Sequence, residues 1–253
     1  MKKLNNVLNL ILPLTGIIAI ILIWSISAFT LKDEIVLPSV IDTLKGTFNL
    51  FLDDYFYLAF FGTLLRTLIA FLVAFLVATV LSILTTKFIR AKKIVAPIIA
   101  IIRAFPTIAM VLWVSLFTPA TIAPMIVTGV VVLPTLYSSV SQAFLDIDGD
   151  LVKMCRLYNV QEKTILKKVI LPPLLPKFAE ICGSGFALNL KLMVAAEIIA
   201  ETGKSLGILM RTKKVYFETA ELLALVIIVI VTAIVIEKLF LLLAKGVKKW
   251  QTS

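Results

Sequence analysis

The amino-acid sequence predicts an all-α membrane protein of about six transmembrane helices, with both ends in the cytoplasm. Apolar types make up 60% of its 253 residues and mean hydropathy is +1.07, whereas a soluble domain holds about 45–50% apolar residues. The excess is gathered into long stretches with few charges, such as Leu222 to Ile236, and a helix needs about 20 such residues to cross the hydrocarbon layer. The third observation is the distribution of Lys and Arg, which cluster between alternate apolar stretches.

Six spans fit the pattern: Val7 to Phe29, Phe56 to Thr85, Ile94 to Phe117, Ile122 to Phe144, Phe178 to Ala200 and Leu222 to Ala244. The first follows Met1-Lys2-Lys3 and has Pro13 near its start. It exceeds the 7–15 residues of a signal core and no small-residue cleavage site ends it, so we expect it to be retained. Basic residues mark the cytoplasmic side. With the N-terminus inside, that side carries Lys2, Lys3, Lys87, Arg90, Lys92, Lys93, Lys153, Arg156, Lys163, Lys167, Lys168, Lys177, Lys245, Lys248 and Lys249. The stretch with Lys204, Arg211, Lys213 and Lys214 is the exception, falling on the expected outer side. The net charge of +10 therefore reads as topology and contact with anionic lipid. No basic-aromatic motif points to nucleic acid.

The chain has no histidine and two cysteines, Cys155 and Cys182, without C-x-x-C spacing. The usual zinc sites are not expected, a disulfide framework is not indicated, and Ser-His or Cys-His catalysis is excluded. We expect residues 1–253 to form a single transmembrane domain and not an enzyme.

Two connections have structure of their own. Residues 39–52 place Val40, Leu44, Phe48 and Phe51 at helical spacing after Leu37-Pro38-Ser39, which predicts an amphipathic helix at the outer interface with Ser39 as its N-cap. The cytoplasmic segment 145–177 is the one long polar stretch. Asp148 or Asp150 can cap a helix running to about Tyr158, and Asn159 suits the left-handed residue that ends a helix. A second short helix is expected over Gln161 to Lys168. Leu171-Pro172-Pro173 and Pro176 are expected to break the chain before the fifth span.

This segment resembles the cytoplasmic loop of permeases of bacterial ABC importers, whose motif is E-A-A, three residues, Gly, nine residues, I-x-L-P. Val169-Ile170-Leu171-Pro172 supplies the end of the motif. Lys153, Met154 and Cys155 then fall at the E-A-A positions and Asn159 at the glycine. The spacing is intact, while Lys replaces the acid and larger residues replace both alanines. Leu37-Pro38-Ser39, Thr63-Leu64-Leu65-Arg66, Arg103 to Ala109, Leu133-Pro134, Ala196-Glu197 and Leu206-Gly207 resemble, in order, segments of the nitrate, sulfonate and taurine branch.

The resemblance implies a type I importer permease fold, with Lys153, Met154, Cys155, Asn159, Ile165, Leu171 and Pro172 in the loop that couples to an ATPase. It also implies two ABC ATPase subunits holding ATP-Mg, a second permease copy in a homodimer, and an extracytoplasmic solute-binding protein. The location would be the bacterial cytoplasmic (inner) membrane, with several passes. The permease itself would hold no cofactor.

Ionisable groups at membrane depth are costly and usually face a cavity or a partner, so Arg66, Arg103, Lys191 and Glu197, with the kinking Pro106, are candidates for a path or gate. Arg66 reads equally as a snorkelling side chain. Lys191 and Glu197 are six residues apart and do not share a helix face. If Lys191 lines the path, the solute carries an anionic group. Gly129, Gly183, Gly185 and Ala187 read as close-packing positions. The alternative function is an ion-coupled secondary carrier, but no internal repeat supports it and the docking loop would be unexplained. A membrane-embedded enzyme ranks last.

Overall fold

A computed structural model describes residues 2–251, and its regular elements are all helical, as the composition predicts. In chain order they are α1 (Lys2–Leu31), α2 (Val40–Leu52), α3 (Asp54–Lys87), α4 (Ile89–Ala104), α5 (Thr107–Ser115), α6 (Ala123–Leu145), α7 (Gly149–Leu157), α8 (Glu162–Ile165), a π-helical turn (Leu166–Ile170), α9 (Leu171–Ala200), α10 (Leu206–Val215) and α11 (Thr219–Gln251). The chain divides into two compact units, one of Met1–Tyr57 with Leu209–Ile228, the other of Leu58–Ile208 with Val229–Ser253.

Among the described residues four helices are long and apolar enough to cross a membrane: Asp54–Lys87, Ala123–Leu145, Glu162–Ala200 and Thr219–Gly246. The pair α4 and α5 makes a fifth if counted as one bent span. The expected first span lies in α1, whose described apolar part is Thr15–Leu31. The side chains of Lys2, Lys3, Pro13, Lys248 and Lys249 lie outside the described residues.

Two expectations are corrected by prolines. The expected third span is not one helix: α4 and α5 meet at 91°. Phe105 (ψ 126°) and Pro106 (ψ 118°) are extended, because a proline disfavours helical geometry in the residue before it. Conversely, Pro172 and Pro173 do not break the chain ahead of the fifth span. They stand at the start of α9, directly after the π turn, whose wider winding interrupts the regular hydrogen-bond ladder. Pro176 lies within the same helix, so the helix that holds the expected fifth span runs on from before Phe178 without a break.

In the first unit, Ser39 caps α2 by accepting from the Asp42 amide at 3.1 Å, as its position predicts. The Trp24 Nε1–H donates to the Pro38 carbonyl at 3.0 Å, tying α1 to the start of α2. Lys213, in the basic stretch that conflicts with the charge rule, pairs with Glu218 at 2.6 Å and Glu221 at 2.5 Å. Burial works to lower its pKa, and the bonds to the two carboxylates outweigh that, leaving it raised. Much of its positive charge is thus cancelled locally.

In the second unit α9 is central, packing on α6, α5 and the turn before it. Val111, Val127, Ala196 and Ala200 form a buried cluster where α5, α6 and α9 meet. Edge-to-face and stacked rings link Phe144, Phe178, Phe75, Phe71 and Phe186 at 5.7–5.9 Å between centroids. Gly185 is required for close approach, since a Cβ there would lie 2.6 Å from Leu136 Cδ2. Hydroxyls join α3 to α6: Ser82 donates to the Tyr137 carbonyl, Ser141 to Ser82, and the Tyr137 hydroxyl to Thr85, each at 3.1 Å. Small residues and hydroxyls commonly hold helices together where no hydrophobic drive exists between them.

Candidate functional site

The polar loop folds as a braced pair of short helices. Asp148 caps α7, accepting from the amides of Asp150 and Leu151 at 3.0 and 3.1 Å. Asn159 follows its end with φ 55°. Its amide donates to the Arg156 carbonyl, and the Val160 amide reaches back to the Cys155 carbonyl, both at 3.0 Å. That pair of bonds is the Schellman ending, with Asn in the place usually taken by Gly. Arg156 then grips Glu162 across the turn with bonds of 2.8 and 3.3 Å. The ends of the segment also meet: Lys177 bonds Asp146 at 2.5 Å, and Gln142 donates to the same carboxylate at 2.7 Å. These bonds hold the Asp146 carboxyl below its ordinary pKa, Lys177 contributing most.

The loop residues singled out above do not form one surface. Lys153 is exposed and pairs with Asp150 at 2.9 Å. Met154 and Leu171 are exposed, while Cys155 and Pro172 are half-buried. The second short helix ends at Ile165 and continues as the π turn instead of reaching Lys168 as an α-helix. Ile165, one of the residues expected in the coupling loop, is fully buried and so is not offered to a partner. The large apolar side chains that stand out are Leu157, 81% exposed, and Tyr158, 78% exposed, at the end of α7.

Arg66 and Glu197 come together. Glu197 is fully buried on α9 and its carboxylate accepts from Arg66 Nε at 2.8 Å, from the Thr63 hydroxyl at 2.8 and 3.1 Å, and from the Gly207 amide at 3.3 Å. Arg66 also donates to the Lys204 carbonyl at 3.0 Å, and Thr63 accepts from the Leu206 amide at 2.9 Å. The chain turns between α9 and α10 through two left-handed residues, Glu201 (φ 54°) and Lys204 (φ 49°). A Cβ on Gly207 would stand 2.5 Å from that of Glu197, so the Ala196-Glu197 and Leu206-Gly207 segments are two halves of one corner. Sequence reasoning missed Thr63 and Gly207 as partners.

The remaining candidates line open surface. Arg103 donates to the Pro134 carbonyl at 3.2 Å and to the Ser138 hydroxyl. It shares a groove of about 570 Å³ with Lys92, Tyr137 and Ser138. Ser138 also borders a second groove, of about 590 Å³ between α6 and α9, with Gln142, Asp146, Lys177, Glu180 and Ser184 among its lining. Pro106 is exposed at the break between α4 and α5. Lys191 is exposed and makes no ion pair among the described residues.

Two polar stripes run through these surfaces. On α6 the exposed polar residues are Thr135, Ser138 and Gln142, with Asp146 just beyond its end; on α9 they are Glu180, Ser184 and Lys191, with the apolar Leu188 between. Spacings of three and four put each set on one helix face. That periodicity was available in the sequence as a polar stripe in otherwise apolar spans. Among the described residues there is no cluster of three or more His, Cys, Asp or Glu arranged to hold a metal.

A family model described as "Binding-protein-dependent transport system inner membrane component" matches residues 78–251, more than half of the chain. No curated protein matches the chain in sequence. Among solved structures, it is similar to the MetNI methionine ABC transporter in inward-facing conformations. The native crystal form has a TM-score of 0.64 at 17% identity, covering 74% of this chain and 93% of that chain. A selenomethionine-soaked form gives 0.65 at 17% identity, covering 75% and 94%. An amino acid ABC transporter crystallised with histidines gives 0.59 at 16% identity, covering 77% and 92%. At these identities the likeness shows a shared fold.

Proposed function

The chain belongs to the family of inner-membrane components of binding-protein-dependent transport systems, and from that membership we propose that it carries a small anionic solute along the polar faces of α6 and α9. As a multi-pass permease of an ABC importer it is not itself the catalyst of ATP hydrolysis. The reading assigns ATP-Mg to two partner ATPase subunits, delivery to an extracytoplasmic binding protein, and the second half of the path to another copy of this chain in the bacterial cytoplasmic membrane. It favours the nitrate, sulfonate and taurine branch, whose segments the chain resembles in order, over the amino-acid substrates named for its structural neighbours. The family excludes the ion-coupled carrier as the better account.

The observation that carries the proposal is the pair of polar stripes. A lysine, a glutamate, an amide and several hydroxyls on the open faces of spanning helices are costly against lipid. They are accommodated against water, solute or a second copy. Lys191, Arg103 and Lys92 supply positive charge that attracts an anion into a low-dielectric passage. The glutamate-arginine corner is architectural in this reading, because Glu197 is saturated with protein partners. Segment 145–177 transmits the ATPase stroke, and exposed Leu157 and Tyr158 at the end of α7 are the side chains offered to the ATPase.

The test is Lys191→Met in the complete transporter reconstituted in liposomes. Uptake of the delivered solute is expected to fall about tenfold, the equivalent of one lost contact of roughly 1.4 kcal/mol. Subunit stoichiometry and basal ATP hydrolysis stay normal. Unchanged uptake, or a complex that falls apart, would remove Lys191 from the path.

A further inference from the structure

The outer helix α2 turns the wrong side inward for a protein in water. Its buried residues are Thr43, Gly46 and Leu50. Ile41, Leu44, Phe48, Phe51 and Leu52 are all exposed, Leu44 and Phe48 at 65% each. At 3.6 residues per turn these five cover an arc of roughly 100°. The next arc holds Lys45, Asn49 and Asp42, and the third is the buried face. One short helix therefore presents three surfaces, one buried, one exposed and apolar, and one polar.

We infer that α2 lies in the outer leaflet of the bilayer, with the Leu44 and Phe48 arc immersed among acyl chains and the Lys45 and Asn49 arc in water. Lipid is the occupant argued for, because this arc continues the apolar surface of α1, whose described part is the apolar helix Thr15–Leu31. A cavity of about 390 Å³ joins the end of α1 to the start of α2, with Phe29, Leu37, Val40 and Ile41 on one part of its wall and Lys32, Asp33 and Glu34 on another, the mixed lining of a hydrocarbon-water boundary. The exposed Ile20, Ile23, Ile26 and Phe29 of α1 lead up to it. Aromatic residues with a polar handle mark the same level: Trp24 bonds the Pro38 carbonyl, and the Tyr57 hydroxyl bonds the Phe51 carbonyl at 2.9 Å. Such side chains concentrate where hydrocarbon meets water. A helix with separate apolar and polar faces is held in that plane by its buried apolar area. Delivery of solute by a binding protein must then use other outer surfaces. The inference needs the membrane location and not the proposed path.

The test uses the full chain in liposomes of phosphatidylethanolamine and phosphatidylglycerol. A phospholipid with a diazirine on its acyl chain is photolysed against the unmodified protein, and adducts are expected within residues 40–52. Nitroxide labels are also placed singly at Leu44→Cys, Phe48→Cys, Lys45→Cys and Asn49→Cys in a Cys155→Ser, Cys182→Ser background. Positions 44 and 48 should favour collision with oxygen over a water-soluble nickel chelate severalfold more than 45 and 49. Labels at 44 and 48 that meet nickel as often as those at 45 and 49 overturn the inference. So does shielding of 44 and 48 from both reagents, which marks a protein occupant such as a second copy. If the double-serine background does not assemble, the lipid adduct on the native chain decides alone, and its absence from 40–52 overturns the inference.

Discussion

Two Arg–Glu pairs in this protein have the same N–O distance, 2.8 Å, and opposite surroundings. Arg66–Glu197 joins residues far apart in the chain, with the glutamate sealed from solvent and bonded by two further groups. Arg156–Glu162 spans a single turn, with both side chains more than half exposed. Distance alone does not rank them. Removing one member of a buried pair leaves an uncompensated charge and costs about 3–5 kcal/mol. An exposed pair is worth about 0.2–1 kcal/mol. The corner is held by side chains, whereas the loop is held by its backbone turn and by Ile165.

The contrast can be broken most directly at the corner. Glu197→Ala strands Arg66 and frees Thr63 and the Gly207 amide. It should destabilise the protein by about 3–5 kcal/mol, read as lost membrane level and a lowered thermal midpoint in detergent. A Glu197→Ala variant as stable as wild type would remove the architectural reading. The loop sharpens the comparison through two aspartates. Ile165→Asp buries a charge and should cost about 3 kcal/mol, lowering the amount of folded permease. Leu157→Asp adds a charge on the open surface and should leave that amount unchanged while weakening copurification of the ATPase. Equal behaviour of the two variants would mean that burial does not distinguish packing from docking here. Smaller effects are expected at the turn. Asn159→Val forces a β-branched residue into the left-handed region at about 1–3 kcal/mol, and Asn159→Gly should be tolerated in the same thermal assay. The smallest change belongs to Arg156→Ala, below about 1 kcal/mol. A larger loss there would place the loop and the corner in the same class.

What the sequence reveals follows the range of each interaction. The Ser39 and Asp148 caps and the Asn159 turn are decided within a few residues, and all three are where local rules put them. The polar segment between the fourth and fifth spans was legible for the same reason. The corner was not, because Glu197 and Arg66 are 131 positions apart, and nothing near either residue names the other. Prolines show the limit within local rules. Pro106 ends α4 and turns the chain, whereas Pro172 and Pro173 begin α9 and Pro134 sits inside α6. The residue is the same in each case, and the outcome depends on the backbone around it: the chain turns where the residues at Pro106 are extended and carries on where its neighbours stay helical. The facing of Ile165 was also out of reach, since a helix of four residues is too short for periodicity to say which side is covered.

The continuity of α8, the π turn and α9 gives the loop a mechanical meaning. Glu162–Ala200 counts as one helix of 39 residues, about 58 Å long at 1.5 Å per residue. It runs without interruption from Glu162, which Arg156 bonds at the end of α7, through the π turn to the corner sealed by Glu197. A tilt of only about 5° at Glu162 would sweep the tip at that corner through roughly 5 Å over such a length. Lys191 rides three-quarters of the way along. If the loop couples to an ATPase as proposed, small strokes at Glu162 would be enlarged with distance, and the residues nearest the tip would need the stiffest fastening.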